Sequence, residues 1–184
     1  MFFKLKFSKF LNCASGFVLC RRPTKVRATM SDWKVMMIVA FHQNRIIGYR
    51  ILPQNVNVNF EVYLSFLSEV LHPAIREHRI KRPLILHDNA RPHKHEEVQR
   101  FFKRHRWEEL KHPPYSPDLN SCDYDGIARI KRPNKGMRFS DENELHAAYD
   151  RVIEEINLNN EATGIRHLPQ RWAMVTQTGG EYIV

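Results

Sequence analysis

The sequence predicts an α/β domain, a mixed sheet flanked by helices, on three observations. Val35 to Phe41 is apolar throughout, as a central strand covered on both faces must be. Arg45 to Leu52 follows a short polar turn and reads as its antiparallel hairpin partner. Beyond the hairpin, helical periodicity alternates with short apolar runs, in the order helix, strand, helix, short strand, helices.

Taken in order, the chain opens with seven basic residues in positions 1–31 (Lys4, Lys6, Lys9, Arg21, Arg22, Lys25, Arg27) and no acidic one, Asp32 being the first carboxylate. This segment, 1–34, reads as a poorly ordered basic start, or as an edge strand from the alternation Phe3, Leu5, Phe7. With the apolar stretch Phe10 to Cys20 behind it, it also has the outline of a weak signal or transit peptide, interrupted by Asn, Ser and Cys. The domain proper is expected over 35–184. Phe60, Tyr63, Leu64, Leu67, Val70, Leu71, Ala74 and Ile75 recur at helical spacing, and Pro73 is expected to kink or end that helix near Leu71. Leu84 to Leu86 is a short buried strand that delivers Asp88 at its exit. Val98, Phe101, Phe102 and His105 form one face of a helix over about 94–105, and Trp107 to Leu110 is a small strand. Prolines 113, 114 and 117 stiffen the approach to Asp123. Ser140 is a candidate N-cap for a helix buried through Leu145, Ala148, Tyr149, Val152, Ile153 and Ile156. Pro169 suits the first turn of a last helix that stops at Gly179-Gly180.

Composition narrows the function classes. The chain has 184 residues, with 29 Lys and Arg against 20 Asp and Glu, a net charge of +9 that favours polyanions such as nucleic acid. Cys13, Cys20 and Cys122 form neither a CxxC pair nor an even framework, which argues against a disulfide scaffold or a zinc finger. No apolar run approaches the roughly 18 residues of a spanning helix. Neither a membrane partner nor a small-molecule substrate is expected.

The candidate chemistry lies between Leu84 and Asp123. Asp88 and Asp123, with 34 residues between them, are carboxylates brought from a strand end and a distant helix start, a source of hard oxygen ligands for divalent cations. Two such ions about 3.5–4 Å apart can clamp the attacking and leaving oxygens of a phosphodiester displacement. Competing readings are open at each position: Asp88 as a cap of the following helix, and Asp118 or Asp125 in place of Asp123. His87, His93, His95, His105 and His112 show no zinc-ligand pattern. Trp107 and Trp172 read as core. Arg129, Lys131, Arg132 and Lys135 suit either a track for a DNA backbone or a solvated loop.

Particular words settle the comparison. HDNARPH at His87 to His93, Trp107, Leu110, HPPYSPDL at His112 to Leu119, Asp123-Tyr124, Arg138-Phe139 and the Leu168, Arg171, Trp172, Gly180, Tyr182 ending resemble the catalytic domain of a mariner-type (Tc/mariner superfamily) transposase. The resemblance covers roughly residues 35–184. It implies a ribonuclease-H-like fold and metal-dependent DNA cleavage and strand transfer in transposition. It also implies Asp88 and Asp123 as the second and third catalytic aspartates, Mg2+ or Mn2+ as cofactor, DNA as partner, a possible homodimer and nuclear location. Two departures follow from it. Where this chain reads Asn120-Ser121-Cys122 the family usually has a proline, so the loop is expected to be looser. The family's first aspartate, on the fold's opening strand, falls at or ahead of Met1, as do the helix-turn-helix modules that read transposon ends. The expectation is therefore an N-terminally truncated domain with its first strand missing or replaced, binding its cation weakly and cutting DNA little or not at all alone. The alternative is a decayed or repurposed DNA-binding module without chemistry.

Overall fold

The computed structural model describes residues 2–11, 34–53, 55–114, 116–135, 137 and 139–181. Cys13, Cys20, the apolar stretch beyond Leu11, Tyr115, Arg138 and Tyr182 fall outside the described residues. Five strands form one sheet: β1 (Phe2–Leu11), β2 (Lys34–His42), β3 (Arg45–Ile51), β4 (Leu84–His87) and β5 (Glu108–Leu110), in the order β3-β2-β1-β4-β5. β1 runs antiparallel to β2, from Phe3 opposite His42 to Leu11 opposite Lys34, and parallel to β4, with Leu5 beside His87. β4 and β5 are also parallel.

The place of the opening strand is thus filled, by ten residues without a carboxylate. The edge-strand reading of Phe3, Leu5 and Phe7 is corrected: β1 lies in the middle of the sheet, which draws that strand from ahead of the 34/35 division expected from the sequence. Period-two alternation reports the faces of a strand and says nothing of how many neighbours pair with its edges.

β2 shows why a continuous apolar run is needed. Met37, Val39 and Phe41 enter one core with the C-terminal helices, while Ile38 and Ala40 enter a second core on the other face. Each fully buried aliphatic or aromatic side chain contributes on the order of 1.5–3 kcal/mol.

The second core is closed by α1 (Phe60–Phe66), a π-helical turn Leu67–Leu71, α2 (His72–Glu77) and α3 (Glu96–His105). Near Leu71, where Pro73 is expected to kink or end the helix, the helix instead changes type: a π-helical turn runs to Leu71 and α2 resumes at His72 with Pro73 in its first turn. The wide turn before it, in which the His72 N–H donates to the Leu67 carbonyl, accommodates a residue that has no N–H and whose ring crowds the preceding turn.

The first core is closed by α4 (Ile127–Lys131), α5 (Glu142–Asn159) and α6 (Gly164–Gln177). All six apolar residues expected to face inward on α5 are buried. Its N-cap is Asp141 rather than Ser140: the Asp141 carboxylate accepts the Glu144 N–H at 2.8 Å, and Glu144 reaches back to the Ser140 N–H and hydroxyl. α6 begins five residues ahead of Pro169, which sits inside it. The Asp125 carboxylate accepts the Gly164 N–H at 2.8 Å and starts the helix earlier than proline placement suggested.

Candidate active site

β1, β4 and β5 are parallel, so their carboxyl ends emerge together, where ligand crevices of such sheets lie. Asp88 follows the last residue of β4. Asp123 stands in a π-helical turn, Cys122–Gly126, that follows the short 3-10 helix Pro117–Leu119. Both aspartates are half-buried and line one cleft of about 400 Å³, with Asn89, Ala90, His112, Pro113, Pro114, Ser116, Pro117 and Asn120.

Asp88 does not cap α3, whose N-cap is His95. Its Oδ1 accepts the Ala90 N–H at 3.1 Å and lies 2.9 Å from Nδ1 of the fully buried His93, which is also 2.9 Å from the Asp88 carbonyl. Nδ1 between two oxygens acts as the donor, so the ring orients the carboxylate. Behind it the His87 ring stacks on His93 at 4.4 Å. His87 Nε2 lies 3.0 Å from a Glu109 oxygen and Nδ1 lies 3.2 Å from the Tyr63 hydroxyl. Burial outweighs the neighbouring carboxylate and holds the His87 pKa below its ordinary value, so the ring is neutral at pH 7. With the ring neutral, Nδ1 can accept from the Tyr63 hydroxyl while Nε2 faces the Glu109 carboxylate. The hydrogen bond from His87, helped by one from Gln99, pulls the Glu109 carboxyl down to about 2. Burial pushes the Tyr63 phenol well above its usual range.

The chain before Asp123 is tighter than expected, which corrects the looser-loop reading. Asn120, Ser121 and Cys122 are buried. The Asn120 side-chain oxygen accepts the Cys122 N–H at 3.1 Å, and its carbonyl accepts the Asp123 N–H at 2.8 Å. An Asx turn here restrains the backbone without a proline.

Of the rivals of Asp123, Asp125 has its carboxylate engaged elsewhere and Asp118 is tied through its main chain. Asp125 accepts from Gly164 and from Arg129 Nε, and the Asp118 carbonyl accepts from Arg171. Neither lines the cleft. Arg129, offered as a DNA contact, pairs with Asp125 and lies 3.9 Å from Glu161, while Arg132 and Lys135 are exposed. Trp107 is buried, and Trp172 packs partly buried against the first core.

Sequence reasoning did not find the Tyr63, His87, Glu109 relay or the part played by Asn120. Tyr63 reads as a core position of a helix, and Glu109 as one side chain of a short strand; only the fold brings them to His87. Carboxylate oxygens suit Mg2+ or Mn2+. Among the described residues no group of three His, Cys, Asp or Glu could hold a metal, so the cleft offers two carboxylates. That donor set fits one cation that keeps several waters, and does not fit a two-ion clamp.

A family model described as DDE superfamily endonuclease matches residues 20–145. The chain is 29% identical over 153 residues to histone-lysine N-methyltransferase SETMAR of Homo sapiens, covering 81% of this chain and 22% of that protein. It is 29% identical over 155 residues to the Mariner Mos1 transposase of Drosophila mauritiana, covering 82% and 45%. It therefore spans less than half the length of either relative. Among solved structures, the Mos1 mariner paired end complex with Mn superposes with a TM-score of 0.86 at 25% identity, over 100% of this chain and 56% of that one. The catalytic domain of Mos1 mariner transposase gives 0.81 at 24% identity, over 100% and 84%. The ribonuclease-H-like fold expected from the sequence is the one this domain shares.

Proposed function

The chain belongs to the DDE superfamily endonucleases, and from that premise we propose that it is a transposase-derived DNA-binding domain whose Asp88 and Asp123 hold one divalent cation weakly. The reading is carried by the shared cleft, which two carboxylates from separate elements line at the carboxyl ends of parallel strands. A net charge of +9 supports a polyanionic partner, and the similar Mos1 structures are complexes with a transposon end and with Mn or Mg. A bound cation supplies Lewis-acid stabilisation to a phosphoryl oxygen. The chain's own residues orient the ligands: His93 and the Ala90 N–H fix the Asp88 carboxylate, and Asn120 fixes the backbone before Asp123. Cleavage by this chain alone is little or none, because β1, the strand beside β4, brings no third carboxylate.

Nicking of supercoiled plasmid in Mg2+ or Mn2+ tests the chemistry, and salt titration of labelled duplex DNA tests binding. We expect DNA affinity that falls steeply with salt and survives Asp88→Asn, weak Mn2+ binding lost in Asp88→Asn and Asp123→Asn, and no nicking. Robust Mg2+-dependent nicking abolished by Asp88→Ala would overturn the inactivity. DNA affinity without any Mn2+ binding would favour the purely non-catalytic module. Nuclear location and a homodimer belong to the same proposal, read by a fluorescent fusion and by sedimentation.

A further inference from the structure

The sequence words around Arg171 and Trp172 have no part in the cleft itself, yet both side chains reach back to the turn that precedes Asp123. Pro117–Leu119 is a single turn of 3-10 helix closed by the bonds from Leu119 N–H to Ser116 and from Asn120 N–H to Pro117. α6 donates to two carbonyls of this turn: Arg171 Nε to Asp118 at 2.9 Å and Trp172 Nε1 to Leu119 at 3.4 Å.

The same helix holds the chain beyond Asp123. The Tyr124 hydroxyl donates to the Gly164 carbonyl, the Gly164 N–H donates to Asp125, and the Arg171 guanidinium lies 4.4 Å over the Tyr124 ring. The approach is close enough that a Cβ on Gly164 would come within 2.7 Å of Asp125. We infer that α6 is a brace for Asp123, with Arg171 and Trp172 as positioning residues that set where its carboxylate enters the cleft. Asp88 is fixed by other groups, β4, Ala90 and His93. A helix present only to cover the core needs Ile165 and Leu168, both buried, and has no use for donors aimed at main-chain oxygens.

The inference rests on the metal reading above, and two measurements on the full chain separate them. Arg171→Met removes the Nε donor and the stacked plane, Trp172→Phe keeps a six-membered ring but removes Nε1–H together with the fused five-membered ring, and Arg171→Lys keeps charge without the planar fork. Hydrogen exchange reports on residues 117–126 with no metal present, and Mn2+ titration reports on the cleft. We expect amide exchange in 117–126 to quicken about tenfold in Arg171→Met, with β2 and α5 unchanged. Mn2+ affinity should fall about fivefold, as for one lost ordering hydrogen bond. Trp172→Phe should do the same more weakly, and Arg171→Lys should not restore the wild type. Unchanged exchange in 117–126, or a uniform rise across the domain, overturns the brace. Local loosening with unchanged Mn2+ affinity overturns its link to the cleft. A wild-type chain that binds no Mn2+ removes the metal reading and the link with it, and exchange then decides the brace alone.

Discussion

Gly126 closes the π-helical turn that carries Asp123, and its Cα faces the ring of Phe41 on β2. A Cβ placed there would lie 2.4, 2.7 and 2.8 Å from three ring atoms. Carbon atoms in contact settle near 3.5–4.0 Å, so Gly126→Ala asks for roughly 1 Å of relief. Phe41 is 3% exposed and belongs to the first core, so its ring has no open side to swing into. Overpacking of this kind costs about 1–3 kcal/mol, and three ring contacts with no room to move put this case at about 2–3 kcal/mol, while exchanging Gly for Ala inside a helix returns about 1 kcal/mol. We expect a net loss of about 1–2 kcal/mol, read as a lowered urea midpoint at unchanged slope. Phe41→Leu removes the clashing ring edge, so the double variant should be more stable than the two single losses sum to, by about 1 kcal/mol. Because the strain is relieved by moving the turn off the sheet, Mn2+ affinity should drop in Gly126→Ala and recover in the double variant. Gly126→Ala at wild-type stability, or a double variant that is simply additive, would refute the close-approach argument.

Acid should weaken the fold in two stages set by the buried pair. His87 is neutral when folded, with its pKa below the ordinary 6.5, so the unfolded chain binds the extra proton and stability falls as pH drops through 6.5. Glu109 is held at about 2 against an ordinary 4.5, so its contribution is present above 4.5 and lost as pH falls toward 2. Urea midpoints measured across pH should show Glu109→Gln flattening the lower stage and His87→Gln the upper; parallel curves for variant and wild type would sink the assignment. At the sheet's edge, the Asn157 side chain accepts the Ile46 N–H at 2.7 Å and donates to the Ile46 carbonyl at 2.9 Å, beside the register shift at Ala40/Phe41. Asn157→Ala should cost about 2 kcal/mol in denaturant unfolding by leaving both groups without a protein partner, and a loss below a few tenths would show that water replaces the amide.

What the sequence made legible is what short-range pattern controls. The six inward residues of α5 and the two-faced β2 follow from periodicity, and the exit of Asp88 from β4 follows from a change from apolar to polar. The fold family and the pairing of Asp88 with Asp123 came instead from whole words of sequence, since spacing alone left Asp118 and Asp125 in contention. The missed features depend on partners distant in the chain. The central place of β1 is decided by β2 and β4, and the start of α6 by Asp125, 39 residues earlier. The wide turn ahead of Pro73 had no signal of its own, because π and α turns draw on the same residues. The ring stack of His87 on His93 was hidden because motif letters carry no depth.

The ties between α6 and the segment before Asp123 also have a meaning in time. A ribosome delivers the sheet, Asp88 included, before it delivers the donor for the Asp118 carbonyl, which comes 53 residues later. Domains assemble as they emerge, amino end first. A nascent chain therefore carries Asp88 on its finished strand while the turn before Asp123 still awaits its fastening, and the cleft between them takes its final shape only after α6 has been made.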